Sequence, residues 1–114
     1  MRIIGGLSHE TFRDLTGAPS FMYQTENSDD IWDILFHADK KGYMMACGVS
    51  GDTQEEVNGL SALGLVNGHA YSLINCAEVI DKLGRPACIV QVRNPWGSFE
   101  WKGDWSDGSN LWTD

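Results

Sequence analysis

The stretch that decides the fold runs from Gly68-His69-Ala70-Tyr71-Ser72, through Gly84-Arg85-Pro86, to Arg93-Asn94-Pro95-Trp96-Gly97. His69 to Ile74 reads as a strand that can run on to Ile80. The segment from Asp81 to Pro86 carries a turn signal in Gly84-Arg85-Pro86. Ala87 to Arg93 reads as the next strand, with Ile89, Val90 and Val92 as its branched residues. Together they make an antiparallel hairpin, which can bring His69 and Asn94 side by side across 25 residues of chain. Setting the two directly opposite each other centres the turn near Asp81-Lys82, two or three residues ahead of the turn signal. A bulge or a ragged turn is expected to absorb that difference.

A histidine beside an asparagine has a definite chemistry. An imidazole is the usual general base near neutral pH. The carboxamide oxygen can accept a hydrogen bond from one ring nitrogen, which fixes the tautomer and aims the ring without adding charge. That is the Cys-His-Asn form of the nucleophilic triad, in which imidazolium partners a thiolate. An indole next to the asparagine can cover the contact, and drier surroundings strengthen it. Taken singly, the residues have plainer readings. His69 would be a strand histidine bonded to a backbone carbonyl, Asn94 a turn residue before Pro95, and Trp96, Trp101 and Trp105 core or partner-facing aromatics.

Upstream, Ser8 can cap a short helix running toward Leu15, stopped by Gly17 and Pro19. Ser28 or Asp29 can cap a second helix. There Ile31, Ile34, Leu35 and Ala38 follow helical spacing, and Trp32 and Phe36 widen the apolar stripe. Lys40 and Lys41 suit its last turn, and Gly42 suits the position just past it. Tyr43 to Val49 reads as a buried strand. Ser50 to Leu65, polar and glycine-containing with Asp52, Glu55 and Glu56, is expected to be a surface loop. From Asn94 onward the chain is irregular and rich in Trp and Gly. The layout of two helices, three strands and a tail is an α+β arrangement with a small antiparallel sheet. The tail has no closing element, so a single partial domain that is C-terminally incomplete is expected over residues 1–114.

Composition narrows the function. Eight Lys and Arg stand against sixteen Asp and Glu among 114 residues, a net charge of −8. A nucleic-acid surface and a polybasic membrane anchor are both excluded on that balance. No apolar run is long enough for a transmembrane segment, and Met1-Arg2-Ile3-Ile4-Gly5-Gly6 lacks the apolar core of a signal peptide. Cys47, Cys76 and Cys88 are odd in number and lack metal-site spacing, so they read as reduced, mostly buried thiols of an intracellular protein.

The two segments around His69 and Asn94 resemble the calpain family of cysteine proteases. Glu100-Trp101-x-Gly103-x-Trp105-Ser106-Asp107 has the same look, and Pro95 between Asn94 and Trp96 favours calpain over other papain-like proteases. Gly5-Gly6 and Phe12-Arg13-Asp14-Leu15-Thr16-Gly17 resemble the start of the second calpain catalytic subdomain. The resemblance covers nearly the whole chain and is least specific from Ser50 to Leu63. It implies the histidine-bearing half of a papain-like cysteine protease fold, with a small antiparallel sheet and short helices. His69 matches the catalytic histidine, Asn94 the residue that orients it, and Trp96 the shielding tryptophan. Gly6 and Gly68 match glycines close to the bound substrate chain. Glu100 and Asp107 match two carboxylates of a calcium site whose other ligands lie beyond residue 114. The implied partners are protein substrates and the cysteine-bearing calpain subdomain, and the implied location is cytoplasmic.

One departure matters. The family nucleophile is a Cys followed by Trp, after a Gln and a Gly, and it belongs to the other subdomain. None of the three cysteines here has that context, so the chain alone is expected to be inactive. The expected function is part of a calcium-dependent endopeptidase. The alternative is a calpain-like scaffold or binding module without a nucleophile.

Overall fold

The computed structural model describes residues 6–27 and 30–113. Gly5, and the Ser28 and Asp29 proposed as caps, lie outside the described residues. The elements in chain order are α1 (Ser8–Thr16), a single 3-10 turn (Thr25–Asn27), α2 (Ile31–Lys40), β1 (Met45–Val49), α3 (Gln54–Ala62), β2 (His69–Ile80) and β3 (Pro86–Arg93). The three strands form one antiparallel sheet in the order β1-β2-β3, so the fold is α+β as expected.

The helix ends explain themselves locally. Leu7, not Ser8, holds the cap position of α1, and its N–H donates to the Glu10 carboxylate at 3.4 Å. Asp30 precedes α2 without a side-chain cap bond. At the other end of α2, Gly42 takes a left-handed φ of 70°, which lets its N–H reach the Asp39 carbonyl and the Tyr43 N–H reach that of Ala38. Tyr43 is thus committed to the helix end, and the strand starts two residues later than expected. Nor is β1 a buried strand: Met45, Ala46 and Cys47 are half-buried and Gly48 is exposed.

The expected loop from Ser50 to Leu65 contains a helix instead. Thr53 Oγ1 accepts the Glu56 N–H at 3.2 Å, and the Glu56 carboxylate accepts the N–H groups of Thr53 (3.0 Å) and Asp52 (2.8 Å). This reciprocal capping box satisfies amides that would otherwise be orphaned at the start of α3. Those backbone donors hold the Glu56 carboxyl below its ordinary pKa. Val57 and Leu60, three residues apart, are the half-buried apolar positions of the helix.

Strand β2 carries the core. Its buried side chains are Tyr71, Leu73 and Cys76, the last of them fully buried. The spacing 71, 73, 76 breaks strict alternation because the ladder shifts by one residue between Leu73 and Asn75. The extra residue at that bulge restores the same face to the core on its far side. Helix α2 lies against β2, where Trp32 Nε1–H donates to Glu78 at 3.3 Å.

The β2–β3 turn is built around Asp81, which is only 5 % exposed. One carboxylate oxygen accepts the N–H groups of Leu83 (2.8 Å) and Arg85 (2.9 Å), and the other accepts the Arg85 guanidinium. The Asp81 N–H bonds the Arg85 carbonyl at 2.9 Å, so the turn centres on Leu83 and Ile80 pairs with Pro86. This is the turn the Gly84-Arg85-Pro86 signal indicated.

Two outcomes test this account. Thr53→Ala should cost about 1 kcal/mol and lower Tm by about 4 °C or more in a thermal melt, whereas a surface loop would register nothing. For Asp81, the hydrogen bond from the Arg85 N–H, opposed by burial and helped by the Arg85 side chain, holds the carboxyl below its ordinary pKa. A lowered native pKa stabilises the fold above the unfolded value and loses that contribution as pH falls through the native one. The Tm gap between the parent chain and Asp81→Ala should therefore be wide near neutral pH and begin to narrow only below about pH 3.9, shrinking further as pH falls through the lower native value.

Candidate active site

His69 opens β2 opposite Val49 of β1, and Arg93, the last residue of β3, stands opposite Ser72. One further step along that ladder sets Asn94 beside Tyr71, two residues from His69. The pair are therefore diagonal neighbours, not the direct partners that their spacing suggested. Diagonal Cβ atoms on one sheet face lie about 7 Å apart, within reach of two side chains meeting tip to tip. They do meet: His69 Nε2 lies 2.8 Å from Asn94 Oδ1.

The carboxamide is held from several sides. Asn94 Oδ1 also accepts the Trp96 N–H at 3.1 Å, and Nδ2 donates to the Ser98 carbonyl. These contacts define which end of the amide is oxygen. A carboxamide oxygen cannot donate, so the neutral imidazole carries its hydrogen on Nε2 and keeps the lone pair on Nδ1. Nδ1 is thus the basic nitrogen of the site.

The turn from Asn94 to Gly97 closes with the Gly97 N–H on the Asn94 carbonyl at 3.2 Å, with Pro95 in its favoured second position. That turn folds the Trp96 indole onto His69, with ring centroids 4.3 Å apart. Trp96 nevertheless remains 59 % exposed. Phe99 lies against Trp96 at 6.4 Å, and Tyr71 meets His69 edge-on at 4.9 Å. Tyr71, Ser98 and Phe99 are additions that sequence reasoning did not assign. Tyr71 sits inside a motif it did quote, whereas a backbone acceptor such as the Ser98 carbonyl leaves no trace in residue identity.

The other candidate residues are less closely gathered. Gly6 lines an open groove of ≈ 350 Å³ whose other walls include Phe12, Ala46, Ala70, Tyr71 and Pro95. Gly68 lies outside that lining, and its N–H is bonded to the Val49 carbonyl at 2.9 Å. Glu100 and Asp107 are both exposed. Among the described residues no three His, Cys, Asp or Glu side chains come together as a metal-holding group. The two carboxylates suit calcium in kind, but they offer only a minority of the about six to eight oxygens it takes.

The cysteines divide by burial, and only one of the three is fully buried, contrary to the expectation for most of them. Cys47 is half-buried, Cys76 buried and Cys88 exposed. Burial pushes the Cys47 thiol up, and burial followed by the Asp39 carboxylate pushes up that of Cys76, against Lys40. Both shifts oppose thiolate formation.

With this geometry in place, relatedness can be read. The sequence profile described as "Calpain family cysteine protease" matches residues 1–114. Calpain-8 of Rattus norvegicus is 36 % identical over 111 residues, covering 96 % of this chain and 16 % of that protein. The calpain-1 catalytic subunit of Rattus norvegicus is 33 % identical over 109 residues, 95 % of this chain and 15 % of that protein. Calpain-9 of Homo sapiens is 34 % identical over 109 residues, 95 % of this chain and 16 % of that protein. The chain belongs to the calpain family of cysteine proteases. It spans about a sixth of the length of these relatives.

Alkylation kinetics test the reading of the thiols. Cys88 should react first, and Cys76 should be at least about tenfold slower in the folded chain. A Cys47 or Cys76 that reacts faster than Cys88 at neutral pH would contradict it.

Proposed function

We propose that this chain is part of a calpain-type cysteine endopeptidase and supplies the histidine and asparagine of its triad, as a partial second catalytic subdomain. The observation that carries this is the 2.8 Å contact between His69 Nε2 and Asn94 Oδ1, in a chain of this family. His69 Nδ1 would take the proton of a thiol brought by a cysteine-bearing segment. The thiolate would attack the scissile carbonyl, and the imidazolium would return the proton to the departing amine as the C–N bond breaks. Water would then release the acyl group from the resulting thioester. Asn94 would hold the ring through this cycle and Trp96 would cover the contact, while Gly6 and Gly68 would lie along the substrate chain.

In this reading the chain by itself is inactive, because the raised thiol pKa values of Cys47 and Cys76 oppose nucleophile chemistry and, among the described residues, no cysteine is hydrogen-bonded to His69. Its partners are protein substrates and the cysteine-bearing subdomain. The family resemblance further supports calcium dependence, with Glu100 and Asp107 as two oxygen donors, and a cytoplasmic setting. Among the described residues, no helix is long and apolar enough to cross a membrane.

The test compares the chain alone with the chain joined to a cysteine-bearing calpain segment, with and without calcium. The expected result is turnover of a peptide substrate only by the joined protein with calcium. His69→Ala should then lower the rate by about 10²- to 10⁴-fold. Turnover by the chain alone, abolished by His69→Ala, would overturn the inactivity. A folded joined protein without turnover would instead indicate a non-catalytic calpain-like module.

A further inference from the structure

We infer that Tyr71 is the positioning residue that sets the depth and tilt of the His69 imidazole, and that the connection between α3 and β2 anchors it. This rests on His69 being the working base of the site. Tyr71 is 5 % exposed and stands edge-on to His69 with an interplanar angle of 84°. Its hydroxyl oxygen accepts the Val66 N–H at 2.9 Å. A phenol tied at its far end cannot slide along its own axis, so the ring edge facing His69 stays at one height.

The anchor is itself tied down along its length. The Leu63 carbonyl accepts the Lys102 N–H at 2.9 Å, and the Leu65 N–H returns to the Leu60 carbonyl at 2.9 Å. Asn67 Oδ1 accepts the Gly51 N–H at 2.8 Å, and the Gly68 N–H bonds the Val49 carbonyl. Gly64 is buried with φ 82°, and a Cβ there would overlap the Glu100 carbonyl. The connection is therefore pressed between the end of α3, the end of β1 and the segment after Phe99. His69 thus has unequal neighbours: a buried ring fixed by a bound loop, and the exposed indole of Trp96. The buried one governs where the imidazole stands.

The test reads the ring and not the reaction. In the ¹⁵N-labelled chain, the His69 Nε2–H proton is expected to be visible by NMR, because its hydrogen bond slows exchange with water. Asn94→Ala removes the acceptor and serves as the reference for a released ring. Tyr71→Leu, which removes the aromatic edge, should raise the exchange rate by about tenfold. Tyr71→Phe keeps the ring but frees the Val66 N–H, and should raise it by about threefold while Val66 amide exchange also quickens. A folded Tyr71→Leu chain with the parental rate overturns the proposal. If that variant does not fold, a parental rate in Tyr71→Phe overturns it. Absence of the proton in the parent chain would count against the His69–Asn94 bond itself, and so against the catalytic reading as well. Unchanged exchange in the Tyr71 variants, with release in Asn94→Ala, would reject the role of Tyr71 alone.

Discussion

The alignment of β3 against β2 is the constraint on which the site depends. It is set at one end by the Asp81 carboxylate, which gathers two backbone N–H groups and the Arg85 guanidinium and so centres the turn on Leu83. It is adjusted near the other end by the bulge between Leu73 and Asn75. Since side chains alternate across a sheet, a slip of one residue would turn Asn94 away from His69. The bulge keeps Tyr71 and Leu73 on the buried side together with Cys76, although their spacing in sequence is uneven. A turn clip remote from the chemistry therefore decides whether imidazole and carboxamide meet.

At the site itself the work is divided among groups of different stiffness. Asn94 uses both ends of its amide: two donors converge on Oδ1, and Nδ2 donates to the Ser98 carbonyl. That network fixes the tautomer without placing a second charge near the ring. Trp96 covers His69 from the solvent side and keeps much of its own surface open. Tyr71 closes the inner side. The His69 ring thus keeps its Nδ1 lone pair away from the carboxamide, and the burial of Cys47 and Cys76 opposes thiolate formation at both.

Legibility varied with the range of the interaction that decides each element. Helix α2 was readable because its spacing of Ile31, Ile34, Leu35 and Ala38 and its Gly42 stop are local signals. Helix α3 is hidden in the sequence although Thr53 and Glu56 spell a capping box, because few apolar residues and an internal Gly59 weaken the periodic signal. The start of β1 lies later than residue type suggests because Tyr43, apolar enough for a strand, gives its N–H to the end of α2. Cys88 was expected among mostly buried thiols, yet its position on β3 leaves it exposed.

By itself, the sequence determined the α+β class, the hairpin of β2 and β3, the turn at Gly84-Arg85-Pro86, and the pairing of His69 with Asn94 as a candidate for acid–base chemistry. Those follow from residue type, turn chemistry and short-range spacing, which a linear chain records directly. Only the tertiary structure decided that His69 and Asn94 meet diagonally, that Nε2 and not Nδ1 faces the carboxamide, and that Tyr71 and Val66 stand behind the ring. These depend on the bulge, on backbone carbonyls and amides, and on a loop from one part of the chain bonding a side chain in another. Backbone groups are the same in every residue but proline, so the sequence carries no mark of which ones will be used.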